Sequence, residues 1–215
     1  MTTTLPPLLS AQDVHASLGK HLLVDGMDLV LDLEASQGSR LVDAATGASY
    51  LDLFTFFASS ALGLNHPALV QDAQFREDLL TAAINKPSNS DVYTVAMARF
   101  VETFGRVLGD RGLPHLFFVE GGALAVENAL KVAFDWKSRW NEAHGIDSKL
   151  GTKVLHLEHA FHGRSGYTLS LTNTEPAKVA RFPKFDWPRN SSPYAAPGRE
   201  GIAAEQVTLT AARAA

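Results

Sequence analysis

From Leu116 to Val119 four apolar residues run without a polar partner face. At Glu120-Gly121-Gly122 they give way to a new pattern, in which Val126, Ala129, Ala133, Trp136 and Trp140 recur at steps of three to four. The first stretch is what a short strand buried on both sides of a parallel sheet requires. The second is the buried stripe of a helix running to about Ala143. Across the loop around Gly145, Lys153 to Leu157 supplies a second strand. The handed crossover rule makes the two strands of such a strand, glycine turn, helix, strand unit parallel. An α/β domain is expected.

The chain before this unit reads differently. Ser10 to Leu23 predicts a short helix interrupted at Gly19, and Met27 to Leu33 an extended segment. Arg40 to Val42 and Ser49 to Leu53 flank Asp43-Ala44-Ala45-Thr46-Gly47, whose Asp and Gly suit a hairpin turn, so this first region is β-rich. Pro67, whose missing N–H has no partner to lose at a helix start, opens a helix expected to reach Ala83. Asn89-Ser90-Asp91 offers capping oxygens to a further helix over Asp91 to Leu108, in which Tyr93, Met97, Val101, Phe104 and Leu108 share a face. The Pro-rich segment Phe182 to Pro197 reads as an irregular loop, Gly198 to Ala215 as an alanine-heavy frayed end, and no internal repeat is visible.

Composition narrows the chemistry. With 46% hydrophobic and 20% charged residues the 215-residue chain is of the soluble globular class. A net charge of −4 and a pI near 6.0 provide no basic footprint, so a small metabolite is a better partner than nucleic acid. The absence of cysteine excludes disulfides, thiolate metal sites and a cysteine nucleophile, and no metal is called for. Met1 to Pro7 lacks a basic start followed by an apolar core, and no stretch approaches twenty apolar residues. A cytoplasmic, membrane-free protein is expected.

Two constellations carry candidate chemistry. At Val119-Glu120-Gly121-Gly122-Ala123 the glycines let backbone approach a ligand, and the unpaired N–H groups of the first helical turn suit a phosphate. Many α/β proteins use Gly-Gly at such a turn merely to reverse the chain. The spacing fails the dinucleotide pattern and lacks the lysine of a nucleotide phosphate loop. After the next strand comes Ala160-Phe161-His162-Gly163-Arg164-Ser165-Gly166-Tyr167, where open sheets bind ligands. Phe161 is suited to stack on a flat heterocycle and Arg164 to clamp a carboxylate with two parallel N–H bonds. On these residues alone, a core phenylalanine and a solvated arginine explain the loop equally well.

EGGALAVENALK (Glu120 to Lys131) followed by AFHGR (Ala160 to Arg164) resembles the class III aminotransferases, a branch of the fold type I pyridoxal-phosphate enzymes. NKPSNSDVY (Asn85 to Tyr93), FDWK (Phe134 to Lys137) and FPKFDWPR (Phe182 to Arg189) resemble the L-lysine 6-aminotransferases within it, and the likeness runs from about Leu22 to Gly198. The resemblance implies a truncated three-layer α/β/α large domain of the aspartate aminotransferase-like kind. Residues 1–58 would serve a small domain and homodimer contacts, 59–198 the first part of the cofactor-binding domain, and 199–215 a divergent tail.

By position, the resemblance implies that Gly121, Gly122 and Ala123 hold the phosphate of pyridoxal 5'-phosphate, that Phe161 lies on its pyridine ring, and that Arg164 binds the α-carboxylate of lysine and of 2-oxoglutarate. The reaction implied moves the terminal amine of L-lysine to 2-oxoglutarate, giving 2-aminoadipate 6-semialdehyde and glutamate. Many members carry Ser-Gly-Thr or Ser-Gly-Ser in place of Gly121-Gly122-Ala123, so hydroxyl contacts worth about 0.5–1.5 kcal/mol each are absent here. The family's Schiff-base lysine and pyridine-pairing aspartate are expected beyond residue 215, leaving no catalytic residue in this chain; its own lysines read as surface groups. Other readings are a non-catalytic remnant, or an enzyme for ornithine, N-acetylornithine or 4-aminobutyrate. His162 is read as orienting its loop, Tyr167, Trp136 and Trp140 as packing, and His66 as a turn residue. The stretch Phe54 to Ser60 is expected to reach toward the other subunit's active site.

Overall fold

The computed structural model describes residues 9–191, and the chain divides into two compact units, Met1–Thr103 and Phe104–Ala215. The alanine-heavy end and the last residues of the Pro-rich segment lie outside the described residues.

In the first unit a 3₁₀ turn (Ala11–Asp13) leads into α1 (Val14–Leu18), which ends at Gly19, the expected interruption, and does not resume toward Leu23. Strands β1 (Arg40–Val42) and β2 (Ser49–Leu51) form the expected antiparallel hairpin, with Leu41 opposite Tyr50. Asp43 organises its turn. The Asp43 carboxylate accepts from the N–H groups of Val30 and Ala45 and from the Thr46 hydroxyl. These bonds, the Thr46 hydroxyl first, hold the carboxyl below its ordinary range. The extended segment near Leu31 joins the hairpin through a bridge to Asp43. Asn65 fastens the next loop by donating to the carbonyls of Leu33 and Ser36.

A single turn, α2 (Thr55–Ala58), has positive φ at all four residues, a left-handed turn built without glycine. Such a conformation costs about 1–2 kcal/mol per residue. The Asp52 carboxylate steadies its entrance by accepting from the N–H groups of Phe54 and Thr55. The helix expected over 67–83 is two helices, α3 (Pro67–Val70) and α4 (Ala73–Ile84). Asp72 divides them, because its side chain caps Phe75 N and its extended backbone cannot continue α3. His66 caps α3 by accepting from Ala68 N. Helix α5 (Val95–Leu108) starts later than expected. Thr94 receives the Met97 N–H, whereas the Asp91 carboxylate is already held by the hydroxyls of Ser88 and Ser90.

The second unit is built around α6 (Gly122–Ala143). Asn141, fully buried, ties the loop after it by donating to the carbonyls of Asp147 and Leu150. Strand β3 (His156–Leu157) follows, then α7 (Gly166–Leu171), α8 (Pro176–Val179) and β4 (Arg189–Asn190). β3 and β4 are parallel. The Pro-rich segment read as a loop therefore contains a strand, and the strand expected over 153–157 shortens to His156–Leu157, whose parallel partner is Arg189–Asn190. Leu116 to Val119 itself forms no strand, because among the described residues no neighbouring backbone takes up its ladder bonds. Phe117 is left 74% exposed.

The face of α6 is also corrected. Trp136 is 61% exposed and Trp140 stacks on His144, so neither is core. Val132 and Ala129, with Phe117 and Val119, instead line an open hollow of about 370 Å³. The packed face carries Glu127, Phe134 and Asn141, and turns toward α7.

Gly63 tests the packing of the first unit. It has φ +71°, and a Cβ there would lie 2.5 Å from Gly38 O, beside the bridge of Gly38 to Leu64. Gly63→Ala is expected to destabilise by at least about 1–2 kcal/mol from the backbone alone, read as a lower urea midpoint.

Candidate functional site

The glycine turn becomes an open helix start. Gly121 is the N-cap of α6, and the first bond of its ladder runs from Ala125 N to Gly121 O at 3.1 Å. The N–H groups of Gly122, Ala123 and Leu124 precede that ladder and lie at the positive end of the helix dipole. The space a side chain would occupy at Gly121 or Gly122 is open to at least 4 Å. An anion can therefore come close to these donors.

The second constellation lies directly on this turn. Gly163 has φ +119°, and a Cβ added there would run into the Ala123 methyl and come 2.9 Å from Ala123 Cα. Backbone of the FHGR loop thus rests on the second residue of α6, at a distance only glycine permits. Phe161, 55% exposed, and Arg164 sit on either side of this contact point in the sequence. The Arg164 guanidinium stands over the Phe161 ring at 5.1 Å. Its Nη2 donates to Glu175 Oε1 at 2.7 Å, and Lys178 Nζ lies 2.7 Å from the other oxygen. The Lys178 hydrogen bond, and less strongly Arg164, hold the Glu175 carboxyl below its ordinary value. Arg164 therefore already grips a carboxylate, one from its own chain.

Buried groups fix the loop from below. Thr172, fully buried, accepts from His162 N at 3.0 Å and donates to Gly163 O at 2.5 Å. Glu127, only 7% exposed, accepts from Ser165 Oγ at 2.9 Å and from Thr168 N at 3.0 Å. Burial pushes the Glu127 carboxyl up, but the N–H groups of Thr168 and Tyr167 and the hydroxyls of Ser165 and Thr168 outweigh it, and the net shift is downward. Sequence reasoning did not single out Glu127, Thr168 or Thr172. The one available signal was an acidic residue a turn and a half beyond a glycine N-cap, on the opposite side from the apolar stripe.

The strings FDWK and FPKFDWPR meet one another here. Phe134, Tyr167, Phe185 and Trp187 form one aromatic cluster, in which Phe185 and Trp187 stack at 5.0 Å and Phe134 meets Tyr167 edge-on at 5.6 Å. It packs behind α7 and, with Lys153 and Asp186, lines a cavity of about 520 Å³. Tyr167 is a packing residue, as expected.

A family model described as Aminotransferase class-III matches residues 24–213. The chain belongs to the class III aminotransferases. Its relatives include L-lysine-epsilon aminotransferase of Mycobacterium tuberculosis, 70% identical over 94% of this chain, and that of Streptomyces clavuligerus, 64% identical over 86%. These matches cover 46% and 40% of those proteins, so this class III chain spans less than half their length. A solved lysine aminotransferase from M. tuberculosis superposes with a TM-score of 0.91 at 68% identity, covering 96% of this chain and 48% of that one. An ornithine aminotransferase from Toxoplasma gondii, at 20% identity and TM-score 0.64, shares the fold alone. The expected fold class, the α/β fold of pyridoxal-phosphate aminotransferases, is borne out. Pyridoxal phosphate is the cofactor of this class. The open N–H groups of the α6 turn fit its phosphate. Among the described residues no helix is long and apolar enough to cross a membrane, and no acidic or histidine cluster suits a metal.

Gly163→Ala is expected to lower Tm. The backbone conformation alone costs about 1–3 kcal/mol for a residue with a side chain, and the Ala123 contact adds to it. Glu127 predicts a pH effect. Its contribution is fully present above the ordinary carboxyl value of 4.5 and is lost as pH falls through the lower value in the fold. Urea midpoints measured from pH 7 to 3 should therefore drop below pH 4.5 in the wild type, and drop less in Glu127→Gln.

Proposed function

We propose that this chain is the N-terminal part of an aminotransferase that moves the terminal amine of L-lysine to 2-oxoglutarate, and that the complete enzyme is a cytoplasmic homodimer of lysine catabolism. The observation that carries the reading is the seating of Gly163 on Ala123, which gives an anion-binding turn and a loop bearing an aromatic ring and a guanidinium a common location. The identity to lysine-epsilon aminotransferases over most of the chain supports lysine as the amine.

In this reading the first-turn N–H groups of Gly122 and Ala123 bind the cofactor phosphate, with Gly121 leaving room for it. Pyridoxal phosphate, when bound, supplies an aldehyde that captures the amine and a ring that accepts the electrons released as the neighbouring C–H bond breaks. Phe161 covers one face of a flat ring and keeps water from it. Arg164 takes the α-carboxylate of lysine, and later that of 2-oxoglutarate, by exchanging the Glu175 carboxylate for the substrate's. Anchoring lysine at its far end fixes which carbon reaches the reacting centre and misplaces shorter amino acids. The residue that exchanges the proton belongs, in this reading, to the rest of the enzyme. Activity is accordingly proposed for the full-length protein. The 215-residue stretch alone, with its apolar hollow beside α6 uncovered, is expected to be inactive.

The test is transamination by the full-length holoenzyme with lysine, ornithine, N-acetylornithine and 4-aminobutyrate as donors. Lysine should have the highest kcat/KM, and a preference for ornithine would overturn the substrate assignment. Arg164→Ala should raise the lysine KM and lower kcat/KM by about 10- to 100-fold, the worth of a charged hydrogen bond. Unchanged constants would remove Arg164 from the site.

A further inference from the structure

Glu127 is a buried carboxylate that the proposed mechanism does not use. It lies on the same helix as the anion-binding turn, a turn and a half after Gly121, and its Oε1 accepts from the hydroxyl of Ser165, the residue that follows Arg164. The same oxygen accepts from Thr168 N in the first turn of α7. Thr168 is fully buried, its Oγ1 accepts from Ser165 N at 3.1 Å, and it lies 3.0 Å from Ser165 Oγ. On the other side of Arg164, Thr172 holds His162 and Gly163 through their backbone. The loop is thus gripped on both sides of Arg164; on one side Gly163 rests on Ala123 by van der Waals contact, and on the other the grip at Ser165 is hydrogen-bonded to α6 through Glu127.

A helix is a stiff rod over two turns, so a side chain fixed on it transmits the position of the turn to whatever it holds. From this we infer that Glu127 is a positioning residue: it sets the distance between the anion-binding turn and Arg164, and so the length of substrate that fits between them. The inference rests on the aminotransferase reading above. Removing the carboxylate leaves Ser165 Oγ and Thr168 N without their buried acceptor, and such donors seek other partners. Residues 161–165 then pivot on Thr172 and Gly163, and Arg164 moves relative to the turn. A misplacement of this kind affects only substrates that Arg164 holds.

The full-length holoenzyme is assayed as wild type, Glu127→Ala and Glu127→Gln, with lysine and with 1,5-diaminopentane, the same amine without the carboxylate. Glu127→Ala should raise the lysine KM about tenfold while the constants for diaminopentane stay within about twofold. Glu127→Gln, which keeps an acceptor oxygen, should restore most of the loss. In the Arg164→Ala background Glu127→Ala should add nothing for lysine. Equal losses on both amines, or an unchanged lysine KM, would overturn the proposal and leave Glu127 a purely structural group.

Amide hydrogen exchange provides a readout independent of activity. Residues 161–165 should exchange faster in Glu127→Ala while residues 130–143 of α6 do not, and no change in the loop would overturn the inference by itself. A wild-type enzyme that fails to transaminate lysine refutes the proposed function instead, and the exchange result still decides whether Glu127 holds the loop.

Discussion

The close approach of Gly163 to Ala123 governs the candidate site. Two polypeptide segments forty residues apart meet at a distance that excludes even one methyl group. Neither segment alone makes a site: a helix start with open N–H groups is common, and so is an arginine beside an aromatic ring. Their contact makes the arrangement specific, and α7 and the buried threonines are organised to maintain it. The Glu127 carboxylate and the Thr172 hydroxyl supply acceptors and donors to a loop that would otherwise bury unpaired backbone groups.

Some elements were legible because their causes are local. The hairpin follows from Asp43 and Thr46, whose side chains close the turn wherever it lies. Gly19 stops α1, Pro67 opens α3, and the 3.6-residue period marks α5 and α6. Helix boundaries that differ from expectation also had local causes, since Asp72 caps α4 and so splits the expected helix, and Thr94 takes the capping role in place of Asp91. Periodicity did not reveal which face of α6 is covered. The stripe of Val126, Ala129, Ala133, Trp136 and Trp140 is more apolar, yet the packed face presents Glu127 and Asn141, because Glu127 accepts from α7 and Asn141 donates to carbonyls of the following loop. Leu116 to Val119 was misread for a related reason. An apolar run becomes a strand only when a neighbour accepts its ladder bonds, and the neighbour that β3 found was Arg189–Asn190.

Two of the three strings that resembled one branch of the family lie in packing, whereas Asn85 to Tyr93 is exposed. FDWK contributes Phe134 and FPKFDWPR contributes Phe185 and Trp187 to an aromatic cluster behind α7. Their diagnostic value is therefore indirect. They pack behind α7, the helix that carries Thr168 and follows the FHGR loop.

The sequence by itself determined the family, the first hairpin and most of the helices, and it singled out the two segments proposed to meet a phosphate and a carboxylate, because motifs and turn chemistry are written in consecutive residues. Only the tertiary structure decided that Gly163 rests on Ala123, that Arg164 already holds Glu175, and that Glu127 joins the helix to the loop. Contacts between residues far apart in the chain depend on which faces the backbone brings together, and neither composition nor period carries that information.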